Sequence, residues 1–134
     1  MKFYLDTDIF LAGFKDKDHL KLSAQKFLKD NTGKHEFFTS TATLLEIWHY
    51  LNRNNLKEKT LEAVRYVEEI VDEVISLEPE TLIEAVSLAE AYSLSPTDAI
   101  HAIHAKKFDA IISTDNAFDR VPNLKKIDFS QSSD

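Results

Sequence analysis

The chain contains no cysteine, which excludes disulfides, thiolate zinc ligation and a cysteine nucleophile. Two glycines and three prolines in 134 residues argue against long disordered or collagen-like segments. No apolar run approaches the length of a membrane span, and no charged leader precedes a hydrophobic segment. The reading is a soluble, non-secreted, cytoplasmic protein with no membrane partner. Basic charge is also scarce: 16 Lys and Arg stand against 23 Asp and Glu, for a formal charge of -7. A protein that holds nucleic acid through phosphate neutralisation alone has the opposite balance. An enzyme that gathers its acids around metal ions is still compatible with it.

What is present suits a single domain over residues 1–134. The apolar fraction is 43%, with nine Phe and four Tyr, and a chain of this length buries roughly two thirds of its unfolded surface. Phe3-Tyr4-Leu5 reads as a buried strand, followed by a short helix from Ile9 that ends near Gly13. Leu20, Ala24, Phe27 and Leu28 form one stripe of a helix from Asp18 to Asp30. Glu36 to Thr39 is a second strand. Leu44, Leu45, Ile47, Trp48 and Leu51 belong to the helix after it, and Leu61, Val64, Val67 and Val71 to the inner face of a third helix. Val74 to Leu77 is a strand, and Leu82, Ala85, Val86 and Ala89 face inward from the helix opened by Glu78-Pro79. Ser95-Pro96-Thr97-Asp98 is a strong helix start. Ala110 to Ser113 and Lys126 to Phe129 are the last strands, and the tail from about Ser130 is expected to fray. Strands joined by helical crossovers imply a three-layer α/β/α sandwich with a mostly parallel sheet of roughly five strands.

The first strand runs straight into Asp6-Thr7-Asp8. Ligands of open α/β sheets bind beyond the carboxyl ends of the strands, and if extended geometry persists the two acids lie on one side. Four more acids stand where they can face that crevice: Glu46 in the first turns of its helix, Asp98 in the first turn after Ser95, Asp115 directly after a strand, and Asp119 four residues beyond. Taken singly, each has an ordinary alternative. Asp98 can be a helix cap, Glu46 can close a capping box with Thr43 or be solvated, and Asp115 and Asp119 can decorate a short helix. His101 and His104 read as one surface and one packed residue, and Trp48, Tyr50 and Tyr66 as core or interface.

The motifs Tyr4-Leu5-Asp6-Thr7-Asp8, Leu45-Glu46, Thr97-Asp98-Ala99 with His101, and Ser113-Thr114-Asp115-Asn116-Ala117-Phe118-Asp119 together resemble the PIN domain. This is a family of small metal-dependent nucleases that includes the toxins of many toxin–antitoxin pairs. The resemblance spans essentially the whole chain. It implies that Asp6, Glu46, Asp98 and Asp115 are the four site acids, that Asp119 stands where a further acid is frequent, and that Thr114 hydrogen-bonds within the site. Asp8 stands where the family commonly has Asn.

Phosphodiester hydrolysis needs charge stabilisation on the phosphoryl oxygens and a nucleophile near pH 7, and hard divalent cations held by carboxylates provide both. On this reading Asp6, Glu46, Asp98 and Asp115 hold Mg²⁺ or Mn²⁺, while Asp8 and Asp119 are outer ligands or orient water. The implied function is an endoribonuclease acting on single-stranded or looped RNA, held in check by a small antitoxin protein. Asp6-x-Asp8 after a first strand also resembles a phosphatase of the haloacid dehalogenase type, although Phe10 departs from that pattern. A response-regulator receiver fits less well, since the Val74–Leu77 strand ends in Leu77-Glu78-Pro79. A non-catalytic binding protein with the same sheet is the remaining alternative. Phe10, Leu11, Phe14, Trp48, Tyr50 and Leu51 exceed what one small sheet can cover, which predicts a homodimer through the early helices.

Overall fold

A computed structural model describes residues 1–14 and 18–131 of the chain. Five strands form one sheet: β1 (Lys2–Leu5), β2 (Glu36–Ser40), β3 (Glu73–Ile75), β4 (Ala110–Ile112) and β5 (Lys126–Ile127). Their order is β3-β2-β1-β4-β5 and every pairing is parallel. Parallel neighbours need crossovers. These are supplied by α1 (Thr7–Leu11) with α2 (Asp18–Asn31), then α3 (Thr41–Arg53) with α4 (Thr60–Ile70), then α5 (Pro79–Tyr92) with α6 (Pro96–Ala105). A 3-10 turn over Asn116–Arg120 leads from β4 towards β5.

Strand alternation sorts the interior into two layers. Phe3 and Leu5 of β1, with Ala110 and Ile112 of β4, face a core shared with Ile9, Ala24, Leu28, Ile47 and Val67 of the first four helices. Tyr4 and Ile111 point to the other side, where Ala85, Leu88, Ala99, Ile103 and Phe118 pack on them. The sheet is therefore covered on both faces, as parallel sheets require.

The chain leaves β1 to β2 on one side, while β4 lies against its other side. Such a reversal opens a crevice at the carboxyl ends of β1 and β4. The register pairs Leu5 with Ile112, and the Asp6 amide continues the ladder to the carbonyl of Ile112 at 3.0 Å. The first residues past both strands are thus held side by side.

Several helix faces differ from the apolar pattern. On α4, Leu61 is 61% exposed, and the buried stripe is Ala63 and Val67, continued by Val71 just past its end. On α5, Leu82 and Val86 are 45% and 60% exposed, while Thr81, Ala85 and Leu88 are buried. Thr81 and Ala85 let α5 lie close to α6, and with Leu88 they form the i, i+4, i+7 row that takes the inner face. Leu45 and Trp48 of α3 also face outward. Phe10, Leu11 and Leu51, expected at a dimer interface, instead lie buried in the chain's own core, with Phe14 and Tyr50 packed against it. At the carboxyl end Ser130 donates through its amide and hydroxyl to Asp128 Oδ1, at 2.8 and 2.6 Å. The ladder beyond Ile127 is replaced by this turn, and residues 132–134 of the expected frayed tail lie outside the described residues.

Candidate metal centre

Asp6 is the fixed point of the crevice. The strand does not run on into a loop: Asp6 is the N-cap of α1, its Oδ1 accepting from the Thr7 amide at 2.8 Å. Asp8 therefore sits in the first helical turn, and the two acids meet through helix geometry rather than strand alternation. Ser113, the residue after β4, donates from Oγ to Asp6 Oδ2 at 2.7 Å. Asp8 Oδ2 accepts from the amide and the hydroxyl of Thr114, at 2.8 and 2.7 Å. Its second oxygen, Oδ1, is buried without a hydrogen-bond partner.

Glu46 arrives from α3. That helix is capped by Ser40, whose Oγ accepts from the Ala42 amide at 3.3 Å. Glu46 consequently lies in the second turn, not at the third position of a box begun by Thr43, and Thr43 is fully buried beneath it. The Thr7 hydroxyl and His101 Nε2 both reach Glu46 Oε1 at 2.5 Å. Asp98 enters from α6, where the Ser95 Oγ accepts from the Asp98 amide at 3.2 Å. The backbone of Asp98 thus completes the cap while its side chain lines the cleft. Asp115 caps the 3-10 turn, its Oδ1 accepting from the Ala117 amide at 2.8 Å.

Asp6, Asp8, Glu46, Asp98, Thr114 and Asp115 all line one open cleft of about 330 Å³. Asp119 is the exception among the expected site residues. It is directed to Lys126, whose Nζ lies 3.2 Å from its carboxylate and 3.2 Å from Asn116 Oδ1.

The electrostatics are those of crowded acids. Burial pushes the Asp6 carboxyl up to about 7; His101 pulls it down, and Asp8 adds repulsion. Burial also raises Asp8, against the two bonds from Thr114, and the charge of Asp115 adds to the rise. Asp98 is raised by burial and then by Asp115. Glu46 is the contrast. Burial raises it, but the hydrogen bond and charge of His101, with bonds from Thr7 and Thr97, leave it below its ordinary value.

His101 and His104 are both buried, so neither is a surface residue. His101 Nδ1 lies 2.7 Å from the Tyr4 hydroxyl, and that hydroxyl lies 2.9 Å from Ser40 Oγ. Burial disfavours the charged ring, but Tyr4, Glu46 and Asp6 together hold it well above its ordinary range. His101, Thr7 and Ser113 are the site residues that residue-by-residue reading missed. The available signal for His101 was its place three residues after Asp98, on the same helix face.

The donor set fits a hard divalent cation: carboxylates from four elements line the cleft and one buried carboxylate oxygen is unpartnered, with the His101 imidazole behind Asp6 and Glu46. Ligand atoms of Asp6, Glu46 and His101 already lie within 4.8 Å of one another.

A doubly covered parallel sheet with acids converging at its carboxyl edge defines an α/β protein with a candidate metal centre. The sequence matches the PIN domain over residues 3–124, and the chain belongs to that family. Solved structures agree with the fold. The VapBC2 structure from Rickettsia felis, bound to a DNA fragment from its promoter, superposes with a TM-score of 0.73 at 18% identity, covering 95% of this chain and 98% of the other. VapBC-1 from nontypeable Haemophilus influenzae gives 0.72 at 18% identity, covering 98% and 100%. A toxin-antitoxin complex from Klebsiella pneumoniae gives 0.64 at 17% identity, covering 94% and 96%. No curated protein matches the sequence. Among the described residues no helix is long and apolar enough to cross a membrane.

Proposed function

We propose that the protein is a divalent-metal-dependent endoribonuclease that hydrolyses single-stranded or looped RNA, acting in the cytoplasm as the toxin of a toxin–antitoxin pair. The observation that carries this reading is the convergence of Asp6, Glu46, Asp98 and Asp115 on one solvent-open cleft. Crowded carboxylates without a cation repel one another, and a deep apolar pocket for a small substrate is not what these residues line. Membership of the PIN family and the fold shared with VapBC proteins support the reaction class and the partner.

Asp6, Glu46, Asp98 and Asp115 would hold Mg²⁺ or Mn²⁺. When bound, such an ion supplies Lewis acidity towards a phosphodiester and lowers the pKa of water. The chain's own residues do the rest. Thr114 fixes one oxygen of Asp8 and leaves the other turned inward. Ser113 and the Thr7 amide orient Asp6, and Thr7 and His101 orient Glu46. Asp119, paired with Lys126, would support the 3-10 turn that carries Asp115.

The partners proposed are RNA, a small antitoxin protein and a second copy of this chain. Leu82, Ile83 and Val86 of α5, and Leu45 and Trp48 of α3, are among the exposed apolar residues available for such contacts. The test is cleavage of a labelled single-stranded RNA with Mg²⁺ or Mn²⁺, loss of cleavage in EDTA, and loss in Asp6→Asn. Hydrolysis that survives complete chelation, or passes through a phosphoaspartyl intermediate on Asp6, overturns the assignment.

A further inference from the structure

His101 is built like a metal ligand rather than like packing. Its Nδ1 is turned to the Tyr4 hydroxyl at 2.7 Å, and Tyr4 is itself bonded to Ser40 at 2.9 Å. This chain of contacts lies on the buried side of the ring. It fixes the imidazole so that Nε2 faces the carboxylates, 2.5 Å from Glu46 Oε1 and 3.5 Å from Asp6 Oδ1. A histidine that ligates through one nitrogen characteristically has the other nitrogen held by a neighbouring polar group. Tyr4, fully buried in the central strand, is placed for that task. That alignment brings Nε2 to two site acids at once, with the Thr7 hydroxyl 3.2 Å away.

Resting on the metal-dependent reading above, we propose that His101 Nε2 joins Asp6 and Glu46 as a nitrogen ligand, and that this mixed site favours a first-row transition ion such as Mn²⁺ over Mg²⁺. On ligation Nε2, now turned to Glu46 Oε1, would face the ion instead, and any proton it carries would leave to solvent. Mg²⁺ is a hard ion that keeps oxygen ligands, whereas imidazole suits later divalent metals. A single nitrogen donor therefore biases selection without excluding Mg²⁺. Tyr4 is a positioning residue in this scheme, since it reaches the metal only through the ring it holds.

The experiment uses the full chain, freed of metal and titrated with Mn²⁺ alone. Pulsed electron paramagnetic resonance of the Mn²⁺-loaded protein should show a directly coordinated ¹⁴N, replaced by a ¹⁵N signal after histidine-specific labelling. His101→Gln should abolish the nitrogen coupling. It should also reduce the Mn²⁺-to-Mg²⁺ affinity ratio by about tenfold. Tyr4→Phe, which preserves the ring volume, should weaken Mn²⁺ binding by about tenfold and broaden the nitrogen coupling. The wild-type spectrum decides the matter even if His101→Gln fails to fold. Bound Mn²⁺ without nitrogen coupling overturns the assignment of His101 while leaving the carboxylate site intact. Absence of any Mn²⁺ binding that Asp6→Asn would remove overturns both.

Discussion

One carboxylate oxygen of Asp8 receives two bonds from Thr114, one from the backbone amide and one from the hydroxyl, across 106 residues of sequence. The first helix is thereby tied to the end of β4, and the other oxygen of Asp8 is left turned into the protein. Thr114→Val removes the hydroxyl while keeping the branched shape and the amide bond. It should cost about 1.5–3 kcal/mol, the range for a hydrogen bond to a charged group. Thermal unfolding against wild type measures it. An unchanged midpoint would show that the amide alone holds Asp8.

Asp98 serves the helix through its backbone and the cleft through its side chain. Asp98→Asn should leave stability within about 1 kcal/mol of wild type, because an amide is tolerated in a first helical turn. Metal-dependent cleavage should fall by orders of magnitude. The paired measurement is denaturant unfolding and RNA turnover on the same preparation. Near-normal turnover would confine Asp98 to its role in the cap.

Metal binding should appear as stability. An ion that binds only the folded protein stabilises it by about 2.7 kcal/mol at a hundredfold excess over its dissociation constant. Mn²⁺ should therefore raise the unfolding temperature of wild type, and EDTA should reverse the rise. Asp6→Asn should abolish the response, since it neutralises the best buried acid of the site. Equal shifts in both proteins would place the ion elsewhere.

His104 gives a prediction about pH for the metal-free protein. Its ring is buried, both nitrogens lack partners, and burial with the charges of Lys107 and His101 lowers its pKa from 6.5 to about 4. Between those values the unfolded chain binds the proton and the folded chain does not. The contribution of His104 is thus full above about 6.5 and is lost as pH falls towards 4. Asp6, with its raised pKa, works in the opposite sense over part of this range, so only a difference is diagnostic. His104→Leu should remove the acid-side loss attributable to this ring, giving a flatter stability profile than wild type between pH 7 and about 4.5. Parallel profiles would show that His104 gains a partner on protonation.

Assembly is tested by sedimentation equilibrium without metal or partner. A homodimer is expected, and Ile83→Glu, placed at a residue 70% exposed on α5, should weaken it if that face is used. A monomer mass near 15.3 kDa at high micromolar concentration would remove the dimer without touching the site.

The fold was legible because its signals are local. Phe3-Tyr4-Leu5, Ala110-Ile111-Ile112 and the Ser95-Pro96 start each specify an element through a few neighbouring residues. Helix faces were harder to read. Leu82 and Val86 are more apolar than Thr81 and Ala85, yet close approach of α6 favours the smaller row. The acids at the cleft could be placed because each follows a strand or opens a helix. Two features could not be placed that way. Asp119 turns to Lys126, a partner seven residues away and unmarked by any motif. His101 shares a helix face with Asp98, but the Tyr4 that holds its ring stands 97 residues earlier, and that pairing has no periodicity to reveal it.

The order of the strands has a consequence for how the protein is made. β1 precedes the other four strands and is the middle strand of the finished sheet, yet its neighbour β4 follows only at residues 110–112. Asp6 must wait for Ser113, 107 residues later, before its second oxygen is held. Domains form as the chain is released during synthesis. A nascent chain therefore carries an unfinished acid cluster until the residues of β4 and Ser113 have been released. The topology makes the site a late product of folding, assembled only after its two halves, far apart in the chain, have met.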